Sequence, residues 1–431
     1  MYIIHLVRTI CLLLTIISTG AAQVHAQKKF VPNYDESKVP EFDLPPIFKP
    51  SSQDPISEWA DRRTELLSLF QQQVYGLPPT HLAYRTSYSI VESGPGLAGK
   101  ALRQQIRIKL ETDAANHTID LLVYTPAEPN RPVPLFLGLN FFGNHTVSKD
   151  PQIAITSAWS RNSAEKGVSQ NKATDKGRGT AASRWPIEKL IENGLGVATC
   201  YCGDIDPDFD DQFQNGVHSL FPQFRPGPDH PDRWGTIAAW AWGLSRLLDG
   251  LIQKVPQVDP NRVVVIGHSR LGKTSLWAAA SDTRFAGAIS NNSGCGGAAL
   301  SRRRFGETVG RINQSFPHWF CENFKQYNRN EDALPLDQHQ LLSLIARRPI
   351  YIASASEDRW ADPRGEFLSA KSASQLYSNL GYPELKLSEF PEPGTHTIGP
   401  VSYHLRKGRH NITDWDWDRY IEFMRAMVQS Q

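Results

Sequence analysis

The chain has 431 residues, 40% hydrophobic and 21% charged, a composition that can bury a large core and excludes disorder throughout. Its 46 Lys and Arg nearly balance 44 Asp and Glu, for a formal net charge of +2. No field this weak gathers nucleic acid or anionic lipid, so neither is an expected partner; a small molecule or a polymer of low charge is.

The N-terminus carries an export pattern. Arg8 precedes an apolar stretch over 9–17, and Val24-His25-Ala26 offers small residues for signal-peptidase cleavage before Gln27. The apolar run falls short of the roughly 20 residues a bilayer span needs, and no later segment approaches that length. The expectation is a signal peptide over 1–26 and a secreted or periplasmic protein that leaves the membrane once cleaved. Cys11 departs with the signal, and Cys200, Cys202, Cys295 and Cys321 remain where disulfides are permitted. Cys200 and Cys202 alternate along an expected strand and are poorly placed to bridge each other. Cys295 with Cys321 is the expected pair, four buried thiols being the alternative, and the spacings do not make a zinc site.

Residues 27–55, rich in proline and charge between 32 and 50, read as an extended lead-in along the surface. A helix follows, with Asp54 as cap, Pro55 at its first position, an apolar stripe of Trp59, Leu66, Leu67, Phe70 and Val74, and Gly76 at its end. Residues 101–110 and 117–124 alternate as an antiparallel pair, and 133–141 is a buried strand. The polar tract 157–183 reads as an inserted surface loop. Beyond it, strands at 195–200, 286–290, 349–355 and 384–390 alternate with helices at 235–251, 337–346, 365–380 and 416–428. This order predicts one α/β domain over 27–431, a three-layer sandwich whose mostly parallel sheet is covered on both faces.

One segment carries chemistry. Val263-Val264-Val265-Ile266-Gly267-His268-Ser269-Arg270-Leu271-Gly272-Lys273 breaks an apolar strand at a serine and resumes as a helix. Such a turn presents a nucleophilic serine: Gly267 lets the backbone pass closely, and the helix start aims free N–H groups at a developing oxyanion. The usual GxSxG form has its second glycine at the position of Leu271; here Gly272 follows instead. A serine hydroxyl is a weak nucleophile, so a histidine must take its proton and a carboxylate must fix that imidazole. Both are expected after the serine, on loops beyond later strands. The loop 354–362 offers Glu357, Asp358 and Asp362, of which Asp358 is preferred. The loop 394–414 holds His396, His404 and His410; His410, the last before the final helix, is preferred, with His396 as its rival. The backbone N–H and guanidinium of Arg270 could serve the oxyanion. The segment 138–145 offers a second donor or a tight turn.

Gly267-His268-Ser269-Arg270-Leu271-Gly272-Lys273 resembles the serine motif GxSRxGK of the glucuronoyl esterases, a carbohydrate esterase family of the α/β-hydrolase fold, and that motif accounts for the displaced glycine. The resemblance continues through Gly294-Cys295-Gly296-Gly297, Gly306-Glu307-Thr308-Val309, Asp358-Arg359-Trp360-Ala361-Asp362-Pro363 and Gly408-Arg409-His410, across most of the chain. It implies a 4-O-methyl-glucuronoyl methylesterase that cleaves esters between 4-O-methyl-glucuronic acid of xylan and lignin alcohols. Its partners would be glucuronoxylan and lignin-carbohydrate esters, and no cofactor is implied. By the same resemblance Ser269 is the nucleophile, His410 the base, Arg270 an oxyanion donor, Lys273 and Glu307 the groups on sugar hydroxyls, and Trp360 a packing face for the sugar. Many relatives place a catalytic Glu in a loop reading ESGxGG, whereas Asn292 stands at that position here. A neutral amide cannot stabilise an imidazolium as a carboxylate does, so the acid is expected at Asp358, with Glu357 as fallback. The competing readings are a broader carbohydrate esterase, such as a xylan deacetylase, and a silent carbohydrate-binding protein. The chain is expected to be a monomer.

Overall fold

The computed structural model describes residues 30–49, 54 and 56–429; residues 1–26, where a signal peptide is expected, and Pro55 lie outside them. From Pro32 onward the described residues form one compact unit. Its frame is a ten-stranded sheet of β1 (Arg85–Gly96), β2 (Ala101–Glu111), β3 (Asn116–Pro126), β4 (Val133–Asn140), β5 (Gly196–Tyr201), β6 (Val258–His268), β7 (Gly287–Asn291), β8 (Ile350–Ala355), β9 (His396–Thr397) and β10 (Val401–Arg406). The spatial order is β1-β2-β3-β5-β4-β6-β7-β8-β10-β9. The strands from β5 through β10 in that order run parallel, and the pairs outside them are antiparallel.

Strands β4, β5, β7, β8 and β10 are buried at every position, as the interior of a parallel sheet requires. Alternation along β6 divides its valines between two cores. Val263 and Val265 join the larger one, under α1 (Trp59–Phe70), α3 (Thr236–Lys254), α4 (Arg270–Ser281), α6 (Gln338–Ser343) and α7 (Pro363–Asn379). Val264 and Ile266 join the smaller one, under α2 (Ile187–Glu192) and α8 (Asp414–Gln429). A further helix, α5 (Val309–Ser315), is capped by the Thr308 side chain. No helix among the described residues is long and apolar enough to cross a membrane.

The elements read from the sequence are present within a few residues, with four corrections. Residues 384–390 are irregular, and the strand beside β8 is β10. Ser402, His404 and Arg406 are buried on β10, so its polar letters conceal an interior strand, while Pro383 and Pro391 bracket the segment that alternates. The edge strand β1, mostly polar and half exposed, had no apolar pattern to reveal it. The four cysteines are free and buried, so Cys295 and Cys321 are not bridged. Cys200 and Cys202 do not share a strand either, because β5 ends at Tyr201 and Cys202 opens the short helix Cys202–Ile205.

The lead-in follows the surface, held where Arg303 pairs with Glu36 at 2.8 Å and His339 Nε2 meets the Pro45 carbonyl at 2.8 Å. The tract 157–183 includes a small hairpin, Val168–Ser169 with Lys172–Ala173, and it buries Ser160, Val168 and Ala181.

Candidate active site

The turn after β6 is tight for a steric reason. A Cβ on Gly267 would lie 1.9 Å from the Leu271 carbonyl oxygen, so no other residue fits there. Ser269 has φ 58° and ψ −129°, a sparsely populated conformation that costs a non-glycine residue roughly 1–3 kcal/mol. The turn is held by the Ser269 N–H on the Asn291 carbonyl and by the Gly272 N–H on the Ser269 carbonyl, both at 2.8 Å. The displaced glycine follows from packing: Leu271 is buried, whereas a Cβ on Gly272 would press on Ser293 at 3.1 Å.

Four strand ends deliver the polar groups. Ser269 follows β6, Asn292 follows β7, Asp358 lies on the loop after β8, and His410 lies on the loop after β10. They line one cavity of about 380 Å³, together with Arg270, Lys273, Glu307 and Trp360. His410 Nδ1 donates to Asp358 Oδ2 at 2.5 Å, and Asn292 Nδ2 donates to the same oxygen at 2.9 Å. Asp358 is buried, while the His410 side chain is 41% exposed and open to an incoming molecule. Asn292, whose identity placed the acid elsewhere in the sequence, is a donor to that acid.

The other histidines of the late loop are placed differently. His396, on β9, lies 3.4 Å from Glu422, and His404 is buried with Nε2 2.9 Å from Asp416. Glu357, the alternative acid, is exposed 3.7 Å from Arg409. Behind the turn, the His268 ring lies 4.5 Å from that of His410, and its Nδ1 meets Asn291 Oδ1 at 2.6 Å. Burial, then the neighbouring His410, holds the His268 imidazole well below its usual range, so it is neutral.

Arg270 pairs with Asp208 and stacks among rings, its guanidinium 5.4 Å from Phe141, 5.9 Å from Phe316 and 5.2 Å from Trp319. Burial would raise the Asp208 carboxyl, but Arg270 and hydrogen bonds from His318 and Trp319 outweigh it and hold the group well below the carboxylate range. Arg270 Nε is buried with no hydrogen-bond partner among the described residues. Lys273 Nζ donates to the Ser293 carbonyl. Burial lowers Lys273 and raises Glu307, and the charge of each partly offsets this for the other. The Glu307 N–H meets the Trp360 carbonyl at 3.0 Å, which ties the two cavity walls together. The segment 138–145 closes as a tight turn, with the Gly143 N–H on Asn140 Oδ1 at 2.9 Å.

Three features had no legible signal in the sequence. Asp208 is one acid in an acidic run, and Phe316 and Trp319, stacked at 3.7 Å on the cavity wall, fit no spacing rule. Glu366, in the first turn of α7, is fully buried beneath the Asn292 turn. Its Oε1 bonds the Gly294 N–H at 2.9 Å and Ser293 Oγ at 3.2 Å, and its Oε2 lies 2.6 Å from Ser354 Oγ. Burial pushes this carboxyl up to about 8.

Comparison with known proteins identifies the family. The family model for fungal glucuronyl esterases matches residues 229–381. Carbohydrate esterase MZ0003, from an unknown prokaryotic organism, is 48% identical over 425 residues, 96% of this chain and 97% of its own. A solved structure described as a promiscuous CE15 esterase from the marine bacterial metagenome aligns with TM-score 0.84 at 48% identity, covering 92% of this chain and 99% of that one. A glucuronoyl esterase from Solibacter usitatus aligns with TM-score 0.82 at 40% identity, covering 91% and 99%. With relatives this similar along nearly their whole length, the chain belongs to the glucuronoyl esterase family, carboxylic ester hydrolases of the α/β-hydrolase fold.

Proposed function

We propose that this protein is a 4-O-methyl-glucuronoyl methylesterase that hydrolyses esters between glucuronoxylan and lignin alcohols through an acyl-enzyme on Ser269. The observation that carries the reading is the hydrogen bond between His410 Nδ1 and Asp358, in the same cavity as Ser269, Lys273, Glu307 and Trp360. With its Nδ1–H given to Asp358, the imidazole keeps Nε2 free to take the Ser269 proton. The serine oxygen attacks the uronate carbonyl, and the carbonyl π electrons move onto its oxygen. The Arg270 N–H, first in α4, and the fixed Arg270 charge stabilise that oxyanion. On collapse, the bond to the alcohol breaks and His410 returns the proton to the departing oxygen. Water then repeats the sequence on the acyl-enzyme, releasing the uronic acid and restoring the serine. Lys273 and Glu307 supply donors and an acceptor for ring hydroxyls, and Trp360 an apolar face for the sugar.

With this activity go a signal peptide over 1–26, one catalytic domain over 27–431, and a monomeric protein exported to act on lignocellulose. A second reading, a carbohydrate esterase of broader acceptance, draws support from the relative described as promiscuous. Hydrolysis of benzyl glucuronate beside acetylated xylose separates the two. The proposal expects preference for the uronate and no turnover above background by Ser269→Ala; faster release of acetate would favour the broader reading.

A further inference from the structure

His410 is carried by a loop, and one buried side chain grips that loop on both sides of it. Arg406 ends β10. Its Nη2 donates to the Arg409 carbonyl at 2.9 Å and to the Asn411 carbonyl at 3.0 Å, the residues immediately before and after His410. Its Nη1 donates to the Lys407 carbonyl at 3.0 Å, and its Nε donates to Asp416 Oδ1 at 3.1 Å. Asp416 is itself fully buried in the first turn of α8. It accepts from the Thr413 N–H and hydroxyl, both at 2.7 Å, and from His404 Nε2 at 2.9 Å. The Tyr351 hydroxyl holds the far side of His404 at 3.0 Å. The same loop is tied to the segment bearing the acid, through the Ser356 N–H on the Arg406 carbonyl at 2.8 Å and the Glu357 N–H on the Gly408 carbonyl at 2.9 Å.

A guanidinium can serve three carbonyls and a carboxylate at once because its N–H donors form a rigid planar fork; a lysine ammonium at the same position cannot span them. We infer that Arg406 is a positioning residue for the base, fixing the backbone on both sides of His410 so that the imidazole stays against Asp358. The inference rests on the reading of His410 as the base. It differs from a purely structural role in its consequence: loosening the loop slows chemistry in molecules that remain folded, since small misplacements of a proton-transfer group cost up to about 100-fold.

The test compares the full chain with Arg406→Lys, Asp416→Asn and His410→Ala on benzyl glucuronate, alongside melting curves and proton spectra. Arg406→Lys is expected to lower kcat about 10- to 100-fold with KM within about twofold. It should also lose the low-field proton resonance of the His410 Nδ1–H while melting well above the assay temperature. Asp416→Asn, which keeps the side-chain shape, is expected to lower kcat several-fold and broaden that resonance, and it carries the test should Arg406→Lys fail to fold. Wild-type kcat and an intact resonance in whichever variant folds would overturn the inference, as would a loss of rate matching only the unfolded fraction. Full activity in His410→Ala would instead remove the base itself, a separate failure.

Discussion

Asp358 Oδ2 accepts from both His410 and Asn292, so one buried oxygen fixes the imidazole while a neutral amide fixes the oxygen. Asp358→Asn keeps the shape and removes the charge that selects the tautomer. It is expected to lower kcat by about 10³- to 10⁴-fold with little change in KM, read from initial rates on benzyl glucuronate. Glu366 makes a second prediction. Its carboxyl, raised in the fold to about 8 from an ordinary value of 4.5, binds its proton more tightly folded than unfolded. Its stabilising contribution is complete below 4.5 and lost as pH rises to about 8. Glu366→Gln, which cannot ionise, should therefore gain melting temperature relative to the wild type between pH 5 and 8; a constant difference across that range would contradict the assignment. Chain order in the sequence pointed to Ser269 and to two later loops, and the family resemblance, not order, singled out Asp358 and His410 within them. It did not disclose Asp208 or Glu366, whose importance comes from burial beside particular partners and leaves no trace in spacing.

The strand-to-helix joint at β6 and α4 is the element on which the site is built, and Gly267 is its narrowest point. Gly267→Ala would drive a methyl group into the Leu271 carbonyl at 1.9 Å, so the turn must open. The expected cost is about 3 kcal/mol or more of stability, with activity falling further than folding because the Ser269 backbone shifts. Denaturant unfolding and initial rates on the same preparation check both halves. The joint was legible because an unbroken apolar strand ran into a glycine and a serine. Strand β10 was not, because an interior strand carrying Ser402, His404 and Arg406 reads as surface until their partners are seen: Gly399 for Ser402, Tyr351 and Asp416 for His404, and Asp416 for Arg406.

Across the whole molecule, six parallel strands gather side chains from distant parts of the sequence at their carboxyl ends, where open α/β sheets place their ligands. Element order was enough to read a mostly parallel sheet covered on both faces, since most of the buried strands are followed by a legible helix. Trapping the intermediate shows whether Ser269 is the nucleophile: the chain is mixed with benzyl glucuronate, quenched in acid within milliseconds, digested, and its peptides weighed. A peptide containing Ser269 is expected to be heavier by one uronoyl group, a species absent from Ser269→Ala. A uronoyl group on another residue, or full turnover by Ser269→Ala, would contradict that role.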